Sequence, residues 1–136
     1  MFVFDGTVNT IVDLRTSLQS VQGNNPRSIS FMIQTSLSGC HNILTTGSGS
    51  NNLDAFGIEI SCDGSDNNAI ELNGSGAVYI PTTGKVVNDG LWHTVLVTYD
   101  GTTLSIYVDG ILDNLATNWS YGSTTTIALT LNTSRG

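Results

Sequence analysis

The segment from Asn88 to Gly110, NDGLWHTVLVTYDGTTLSIYVDG, constrains the fold more than any other part of the sequence. It contains two runs rich in β-forming residues, 91–99 and 104–109, with Asp100-Gly101 between them and a second Asp-Gly at 109–110. Asp-Gly between alternating β-formers is a strong hairpin signal, because both residues tolerate positive φ angles. The segment is therefore predicted to form an antiparallel β-hairpin.

The turn of this hairpin can be built in two ways. A two-residue turn, Asp100-Gly101, pairs Val97 with Leu104, whereas a four-residue turn, Asp100 to Thr103, pairs Tyr99 with Leu104. Both alternatives place the same apolar residues on one face: Val95, Val97, Leu104, Ile106 and Val108. The other face is mixed and largely polar: Trp92, Thr94, Leu96, Thr98, Ser105, Tyr107 and Asp109. One apolar and one polar face are typical of a strand pair in an antiparallel sandwich.

Short β-rich segments recur along the rest of the chain, separated by Gly, Asn and Asp. The predicted strands cover 2–4, 8–14, 28–33, 42–46, 55–61, 69–72, 77–80, 111–115 and 125–131. The stretch from Pro81 to Asp89 is predicted to be a loop, and no segment shows a convincing helical pattern. With 136 residues, the chain is predicted to be one domain, 1–136, folded as an all-β sandwich.

The string DGLWHTVLVTYDGTTLSIYVDGIL resembles the central hairpin of laminin G-like, concanavalin A-like lectin/glucanase domains, where DG-x-WH-x-V-x-V-TYDG-x-x-L-x-(I/L)-YVDG recurs. FVFDG at 2–6, SISFMIQT at 28–35 and FGIEIS at 56–61 fall where that family has three of its strands. The resemblance covers nearly the whole chain and implies a two-sheet antiparallel jelly-roll sandwich. The family contains sugar-binding, protein-adhesion and hydrolytic members, so the fold alone does not decide the function.

The resemblance also bears on the two ends of the chain. In that family the strand corresponding to 126–131 is followed by a loop and one more strand, which pairs beside the opening strand. The sequence ends at Gly136, so we expect that last strand to be lacking, as in a truncated fragment, an excised domain or a shorter natural variant. The strand edge at Phe2–Gly6 would then be unpaired, and we expect self-association through it.

The charge balance of the chain limits the classes of binding partner that it can have. The net charge is −7, with only four Lys and Arg residues, which argues against nucleic acid because phosphate binding needs clustered cations. No run approaches the roughly 18 apolar residues of a membrane span, and the first residues lack the features of a signal peptide. Together with the resemblance, this favours an extracellular or surface-exposed domain whose partner is a glycan or a cell-surface protein.

Hydrolytic relatives carry paired carboxylates, which this sequence does not offer in their usual spacing. Glucanases of this architecture have Glu-x-Asp-x-Glu or Glu-x-Asp-x-x-Glu on one strand, whereas the stretch from Glu59 to Asp63 has serine in the middle. The second glutamate, Glu71, is predicted not to share a face with Glu59. His41 and His93 lack the context of a Ser-His-Asp triad, and His93 is predicted to be buried and hydrogen-bonded. We therefore expect no catalytic residues and no enzymatic activity.

Sugar binding requires exposed aromatic rings beside polar side chains that reach hydroxyl groups. The candidates are Trp92 and Tyr107 on the mixed face of the hairpin, and Asn118, Trp119 and Tyr121 in a polar loop. The alternative for Trp92 is packing under a loop or in a secondary core with Leu96.

No cofactor is expected other than calcium, which related domains often hold at one rim. The candidate ligands are Asp54, Asp63 and Asp66, whose carboxylates are the hard oxygen donors that calcium prefers. The alternative explanation is turn formation, because Asp favours turns for backbone reasons alone.

The two cysteines form a candidate disulfide. If Leu44 lies opposite Ile58 in an antiparallel pair, Cys40 faces Cys62 at a separation suited to a cross-strand bond. The alternative is two unpaired, half-buried thiols.

Two functions follow from these observations. The first is a non-catalytic carbohydrate-binding, lectin-like module, which predicts an exposed Trp or Tyr platform. The second is a structural or adhesion module that binds protein, which predicts buried aromatic residues. A glycoside hydrolase relative comes third, for want of the carboxylate pair.

Overall fold

A computed structural model of the chain describes residues 12–13, 25–39, 41–47, 55–60, 68–74, 78–116 and 130–131. Regular secondary structure within these ranges consists entirely of β-strands, so no described segment forms a helix that could cross a membrane. The strands are β1 (Val12–Asp13), β2 (Arg27–Gln34), β3 (His41–Gly47), β4 (Ala55–Ile60), β5 (Ala69–Gly74), β6 (Val78–Val86), β7 (Trp92–Tyr99), β8 (Leu104–Val108), β9 (Ile111–Ala116) and β10 (Thr130–Leu131).

The strands form two antiparallel sheets. A six-stranded sheet has the order β1-β10-β3-β4-β5-β6, and a four-stranded sheet has the order β2-β7-β8-β9. The predicted two-sheet, all-β sandwich is therefore confirmed. The predicted edge at Phe2–Gly6 lies outside the described residues, so self-association through it stays a prediction.

The central hairpin joins β7 to β8 through the longer of the two predicted turns. Tyr99 lies opposite Leu104, which leaves Asp100 to Thr103 as the turn. The Asp100 Oδ1 accepts hydrogen bonds from the backbone N–H groups of Thr102 at 2.8 Å and Thr103 at 2.7 Å. The Tyr99 ring is buried, and its hydroxyl donates to the Gly101 carbonyl at 2.7 Å. The four-residue turn thus adds a buried aromatic ring to the core and satisfies the turn's own amides.

The core fills the space between the two sheets. Alternate residues of β4, β5, β7 and β8 point into it, as the period of two of a β-strand requires. Its most deeply buried members are Ile58, Ile70, Leu72, Val87, Val95, Val97, Leu104 and Ile106. Ile29, Phe31 and Ile33 of β2 pack against this cluster and are partly buried.

The predicted loop from Pro81 to Asp89 is wrong over its first part, because β6 continues to Val86. Pro81 lies opposite Glu71, and β6 is the last strand of its sheet. Proline cannot donate a hydrogen bond to a neighbouring strand, so it is tolerated on an edge strand. The sequence prediction ended this strand at Ile80 and did not place it at the edge of a sheet.

A tight turn connects β8 to β9. Val108 lies opposite Ile111, and the two residues between them have positive φ angles, 52° at Asp109 and 79° at Gly110. Two residues with positive φ define the type I′ turn, whose twist matches that of the flanking strands. Asp109-Gly110, rather than Asp100-Gly101, therefore forms the two-residue hairpin turn.

We expect Gly110→Ala to lower the free energy of unfolding by about 1 kcal/mol, because a side chain disfavours the left-handed region. A Cβ at this position would meet no atom within 4 Å, so the cost is one of backbone conformation alone. Gly110→Asn should lose less, since asparagine tolerates positive φ. Chemical denaturation of both variants measures the difference. Equal losses for Ala and Asn would contradict this reading of the turn.

Candidate functional site

The four-stranded sheet turns one side toward the core and the other toward solvent, and the solvent side is called the outer sheet face here. Its members follow from the strand register, because directly opposed residues share a face. They are Ser28, Ser30, Met32 and Gln34 of β2, Trp92, Thr94, Leu96 and Thr98 of β7, Ser105 and Tyr107 of β8, and Leu112 of β9. This face combines hydroxyl groups with large apolar and aromatic side chains.

Trp92 stands at one end of the outer sheet face. It is 51% exposed, so it is not packed under a loop. Gln34 of β2 lies directly opposite Trp92. Met32, which is 64% exposed, is the diagonal neighbour of Trp92 on the same strand as Gln34. The exposed Thr94 follows two residues later on the same strand. An open indole beside a hydroxyl on a rigid sheet is the arrangement that sugar binding requires.

Tyr107 shares this face with Trp92 but is not its neighbour. It lies opposite Leu96 and Leu112 and is only partly exposed. Leu96 follows Trp92 by four positions on β7, which corresponds to about 13 Å along the strand. The two predicted aromatic residues therefore cannot contact the same sugar ring. The other candidates, Asn118, Trp119 and Tyr121, lie outside the described residues and stay predictions.

A polar pocket opens at the other end of β7, beside the hairpin turn. Its volume is about 480 Å³, and it is lined by Pro26, Arg27, Ser28, Thr98, Tyr99, Asp100, Thr103 and Ser105. The Arg27 guanidinium lies 5.4 Å from the centroid of the Tyr99 ring, within cation–π range. Its Nε donates to the Asn25 carbonyl at 3.2 Å. Sequence reasoning placed Thr98 and Ser105 on the mixed face but did not pair β7 with β2, so the pocket was missed.

His93 is held between two carboxylates. Its Nδ1 lies 2.9 Å from the Asp109 Oδ2, and its Nε2 lies 2.9 Å from the Asp89 Oδ1. The His93 residue is 3% exposed, so the predicted buried, hydrogen-bonded histidine is confirmed. Lys85 adds a positive charge 3.5 Å from the Asp109 Oδ2. Asp89, His93 and Asp109 together are called the His93 clamp.

The clamp favours a charged imidazole. The hydrogen bond to Asp109, and then the one to Asp89, raise the pKa of His93 above its ordinary value, although burial acts in the opposite direction. The same bonds from His93 lower the pKa of each carboxyl group. Both ring nitrogens must carry a hydrogen to donate to both carboxylates. The clamp is complete only when His93 is protonated and both carboxyl groups are ionised.

The free energy of unfolding should therefore fall as the pH rises above the ordinary pKa of histidine, about 6.5. Because the pKa of His93 is raised on folding, its stabilisation is complete below the unfolded pKa of about 6.5 and is lost as the pH rises through the folded pKa. The pKa values of Asp89 and Asp109 are lowered, so their contribution is lost only when the pH falls through those lowered values.

Denaturation from about pH 5 to about pH 9 tests this pH dependence. We expect His93→Gln to flatten the alkaline decline, because the titrating group is gone. His41→Gln is the matched control, since it removes the other histidine of the chain, and it should keep the decline. An undiminished slope in His93→Gln would show that other groups cause it.

The two glutamates lie together, contrary to the sequence prediction. Glu59 is directly opposite Glu71 in the pairing of β4 with β5, so they share a face. Their exposures are 5% and 3%. The prediction that they lie on different faces is wrong because each glutamate stands between two core residues: Ile58 and Ile60 for Glu59, and Ile70 and Leu72 for Glu71. Burying those four residues places both glutamates on the opposite face of the sheet.

The register assumed for the cysteine pair holds only in part. Leu44 lies opposite Ile58 as expected, but a bulge shifts the register, and His41 lies opposite Ile60. A bulge of this kind inserts one extra residue on one strand. The cysteines themselves, Cys40 and Cys62, lie outside the described residues, so the disulfide stays a prediction.

The calcium candidates are likewise untested. Among the residues that the structure describes, no group of three or more His, Cys, Asp or Glu side chains could hold a metal ion. The predicted ligands, Asp54, Asp63 and Asp66, lie outside those residues.

Comparison with known proteins shows which fold family the chain resembles. The family model of the concanavalin A-like lectin/glucanases superfamily matches residues 5–135. Among solved structures, domains LG4-5 of the mouse laminin α1 chain are similar, with a TM-score of 0.68, 20% identity, and coverage of 93% of this chain and 32% of that one. No curated protein matches.

Two carbohydrate-active proteins also have similar structures. Domain 4 of a GH43 extracellular arabinanase from Geobacillus stearothermophilus, in complex with arabinotriose, has a TM-score of 0.59 and 15% identity, covering 90% of this chain and 66% of that one. An endo-β-1,4-glucuronan lyase from Trichoderma reesei has a TM-score of 0.57 and 13% identity, covering 90% and 61%. The chain thus spans about a third of the laminin fragment and about two thirds of the arabinanase domain. At these identities the likeness shows the fold alone.

Proposed function

The chain belongs to the concanavalin A-like lectin/glucanase superfamily, and on that basis we propose that it is a non-catalytic, oligosaccharide-binding module of an extracellular or surface-exposed protein. The observation that carries this proposal is the half-exposed Trp92 on the outer sheet face. Trp92 is exposed together with its neighbour Met32, and large apolar side chains that cluster on an exposed face mark ligand or protein contact sites.

Trp92 offers the apolar half of a sugar site. The C–H groups on one face of a sugar ring pack against an indole, while the ring's hydroxyl groups point outward toward polar neighbours. Thr94 supplies such a neighbour on the same strand, and its backbone is fixed because its N–H donates to the Asp109 Oδ1 at 3.0 Å. A pre-formed platform loses little conformational entropy on binding.

The polar pocket supplies the second half of the proposed site. Thr98 follows Trp92 by six positions on β7, so the pocket lies about 20 Å from the indole along the strand. That separation suits a linear oligosaccharide of several units better than a single sugar. The net charge of −7 repels polyanionic glycans, so we propose a neutral chain as the ligand.

The carboxylate pair does not support a hydrolase. A glycosidase needs both carboxyl groups facing the substrate across the scissile bond. Glu59 and Glu71 are almost fully buried and belong to the six-stranded sheet, not to the outer sheet face. The arabinanase domain that holds arabinotriose supports the compatibility of this fold with oligosaccharide binding.

A protein-binding adhesion module is the second candidate. It is favoured by the exposed apolar side chains of the outer sheet face, since Met32 is 64% exposed and Leu112 is 49% exposed. Exposed apolar residues that cluster on one face mark protein contacts as well as ligand sites.

A glycan array separates the two candidates. We expect the chain to bind neutral oligosaccharides of several units more strongly than their monosaccharides or their sulfated counterparts. A parallel screen with calcium or a chelator tests the proposed cation ligands Asp54, Asp63 and Asp66. No binding to any glycan in either condition would overturn the proposal and favour the adhesion module.

A further inference from the structure

The His93 clamp connects two turns that border the outer sheet face. Asp89 belongs to the turn that enters β7, and Asp109 belongs to the type I′ turn between β8 and β9. Trp92 is the first residue of β7 and the neighbour of His93. Trp92 therefore lies between His93 and the turn that carries Asp89.

The two arms of the clamp are anchored unequally. The Asp109 Oδ1 accepts from the Thr94 N–H at 3.0 Å, and the Asp109 N–H donates to the Thr94 carbonyl at 2.8 Å. Lys85 lies 3.5 Å from the Asp109 Oδ2. The Asp89 Oδ1, in contrast, has one further contact besides His93, the Leu91 N–H at 2.8 Å, which belongs to its own turn.

A neutral imidazole can donate from one nitrogen only. Its other nitrogen then presents a lone pair to a carboxylate, and that contact is repulsive. Because the Asp109 arm is the better anchored one, the remaining hydrogen stays on Nδ1. The Asp89 arm is then the one that opens.

The turn that carries Asp89 is otherwise tied to the end of β2. The Gly90 N–H donates to the Thr35 carbonyl at 2.9 Å, and the Gln34 Nε2 donates to the Gly90 carbonyl at 2.9 Å. The Asn88 Nδ2 donates to the Leu37 carbonyl at 3.2 Å. These side-chain bonds are exposed to water and are weak individually. Exchanging them for hydrogen bonds to water would let the turn shift without unfolding the sheet.

Two charged groups contact His93, Asp89 of the entering turn and Asp109 of the type I′ turn. Lys85 of β6 contacts Asp109 and so acts on the clamp from its far side. From the fourth element, β2, the residue opposite His93 is the apolar Ile33. The response of the clamp to pH is therefore set by one imidazole between two carboxylates.

We propose that the His93 clamp is a pH-responsive positioning device for Trp92. Protonated His93 holds the entering turn and fixes the indole on the outer sheet face. Loss of one ring proton releases Asp89, and the turn with Leu91 and Trp92 moves. His93 is thus a positioning residue that acts through Trp92.

The test follows His93 and Trp92 in the same titration. The chain has two histidines and two tryptophans, so His41→Gln assigns the NMR signal of His93, and Trp119→Phe isolates the fluorescence of Trp92. We expect the fluorescence of Trp92 to change with the same midpoint as the ring signals of His93. Asp89→Asn keeps an acceptor for the Leu91 N–H but removes the charge, and it should move both midpoints to lower pH together.

An unchanged Trp92 signal throughout the titration of His93 would overturn the proposal. So would a shift of the His93 midpoint in Asp89→Asn that Trp92 does not follow. His41→Gln controls for general effects of pH and should leave the Trp92 midpoint in place.

The consequence for ligand binding rests on the proposed function. We expect the affinity for an oligosaccharide found on the array to fall severalfold as the pH rises through the His93 midpoint, and Asp89→Asn to move that fall to lower pH. Binding that is insensitive to pH would reject the clamp and leave the proposed function intact. Coupled titration of His93 and Trp92 without any glycan binding would support the clamp and reject the proposed function.

Discussion

Trp92→Ala should weaken oligosaccharide binding about tenfold or more. A nucleic-acid base stacked on one aromatic ring contributes about 1–3 kcal/mol, and we expect a sugar ring packed on the indole to contribute a similar amount. The free energy of unfolding should change by less than about 1 kcal/mol. Trp92 is the first residue of β7 and is 51% exposed, so its truncation removes little buried surface. Calorimetric titration and chemical denaturation of the same preparation measure both quantities.

Two variants control for this result. Trp92→Phe keeps an aromatic ring and should retain part of the affinity. Leu91→Ala removes the adjacent apolar side chain, which is 64% exposed, and should leave the affinity unchanged. Full affinity in Trp92→Ala would show that the ligand binds elsewhere on the domain.

Ile106→Ala should lower the free energy of unfolding by about 2–5 kcal/mol, because it removes buried methyl groups and leaves a cavity. Ile106 lies in the interior strand β8 between Val97 of β7 and Asn114 of β9, and its exposure is 0%. The core between the sheets surrounds it, so little relaxation is available. Chemical denaturation, with the midpoint and slope fitted separately, measures the loss.

Ile111→Ala is the matched control, since it makes the same substitution on the next strand at a position that is 72% exposed. Its cost should stay below about 0.5 kcal/mol. Similar losses for the two variants would contradict the assignment of the apolar face of β8 to the core.

The sheet faces were predictable because strand periodicity is local. Alternation over 104–108 and around Val95 and Val97 placed the same residues inward for either turn, and the structure buries all of them. The choice between the turns was not local. It depends on where Tyr99 packs, and the alternation does not contain that information.

The errors in the predicted faces, strands and pockets have different causes. The register of Glu59 with Glu71 could have been obtained from the isoleucines beside them, since burying these residues fixes both faces. The path of β6 through Pro81 could not have been obtained from neighbouring residues, because only the order of the strands in the sheet shows that β6 is an edge strand. The polar pocket forms because β2 pairs with β7. These two strands are far apart in the sequence, so their pairing could not be predicted from local patterns.

The central claim is that the outer sheet face binds an oligosaccharide, and NMR chemical-shift mapping tests it most directly. A neutral oligosaccharide selected on the array would be titrated into the ¹⁵N-labelled chain. We expect the shifts to concentrate on the indole of Trp92, the amide of Thr94 and the residues around the polar pocket. Shifts confined to the six-stranded sheet around Glu59 and Glu71, with the Trp92 indole unmoved, would contradict the claim.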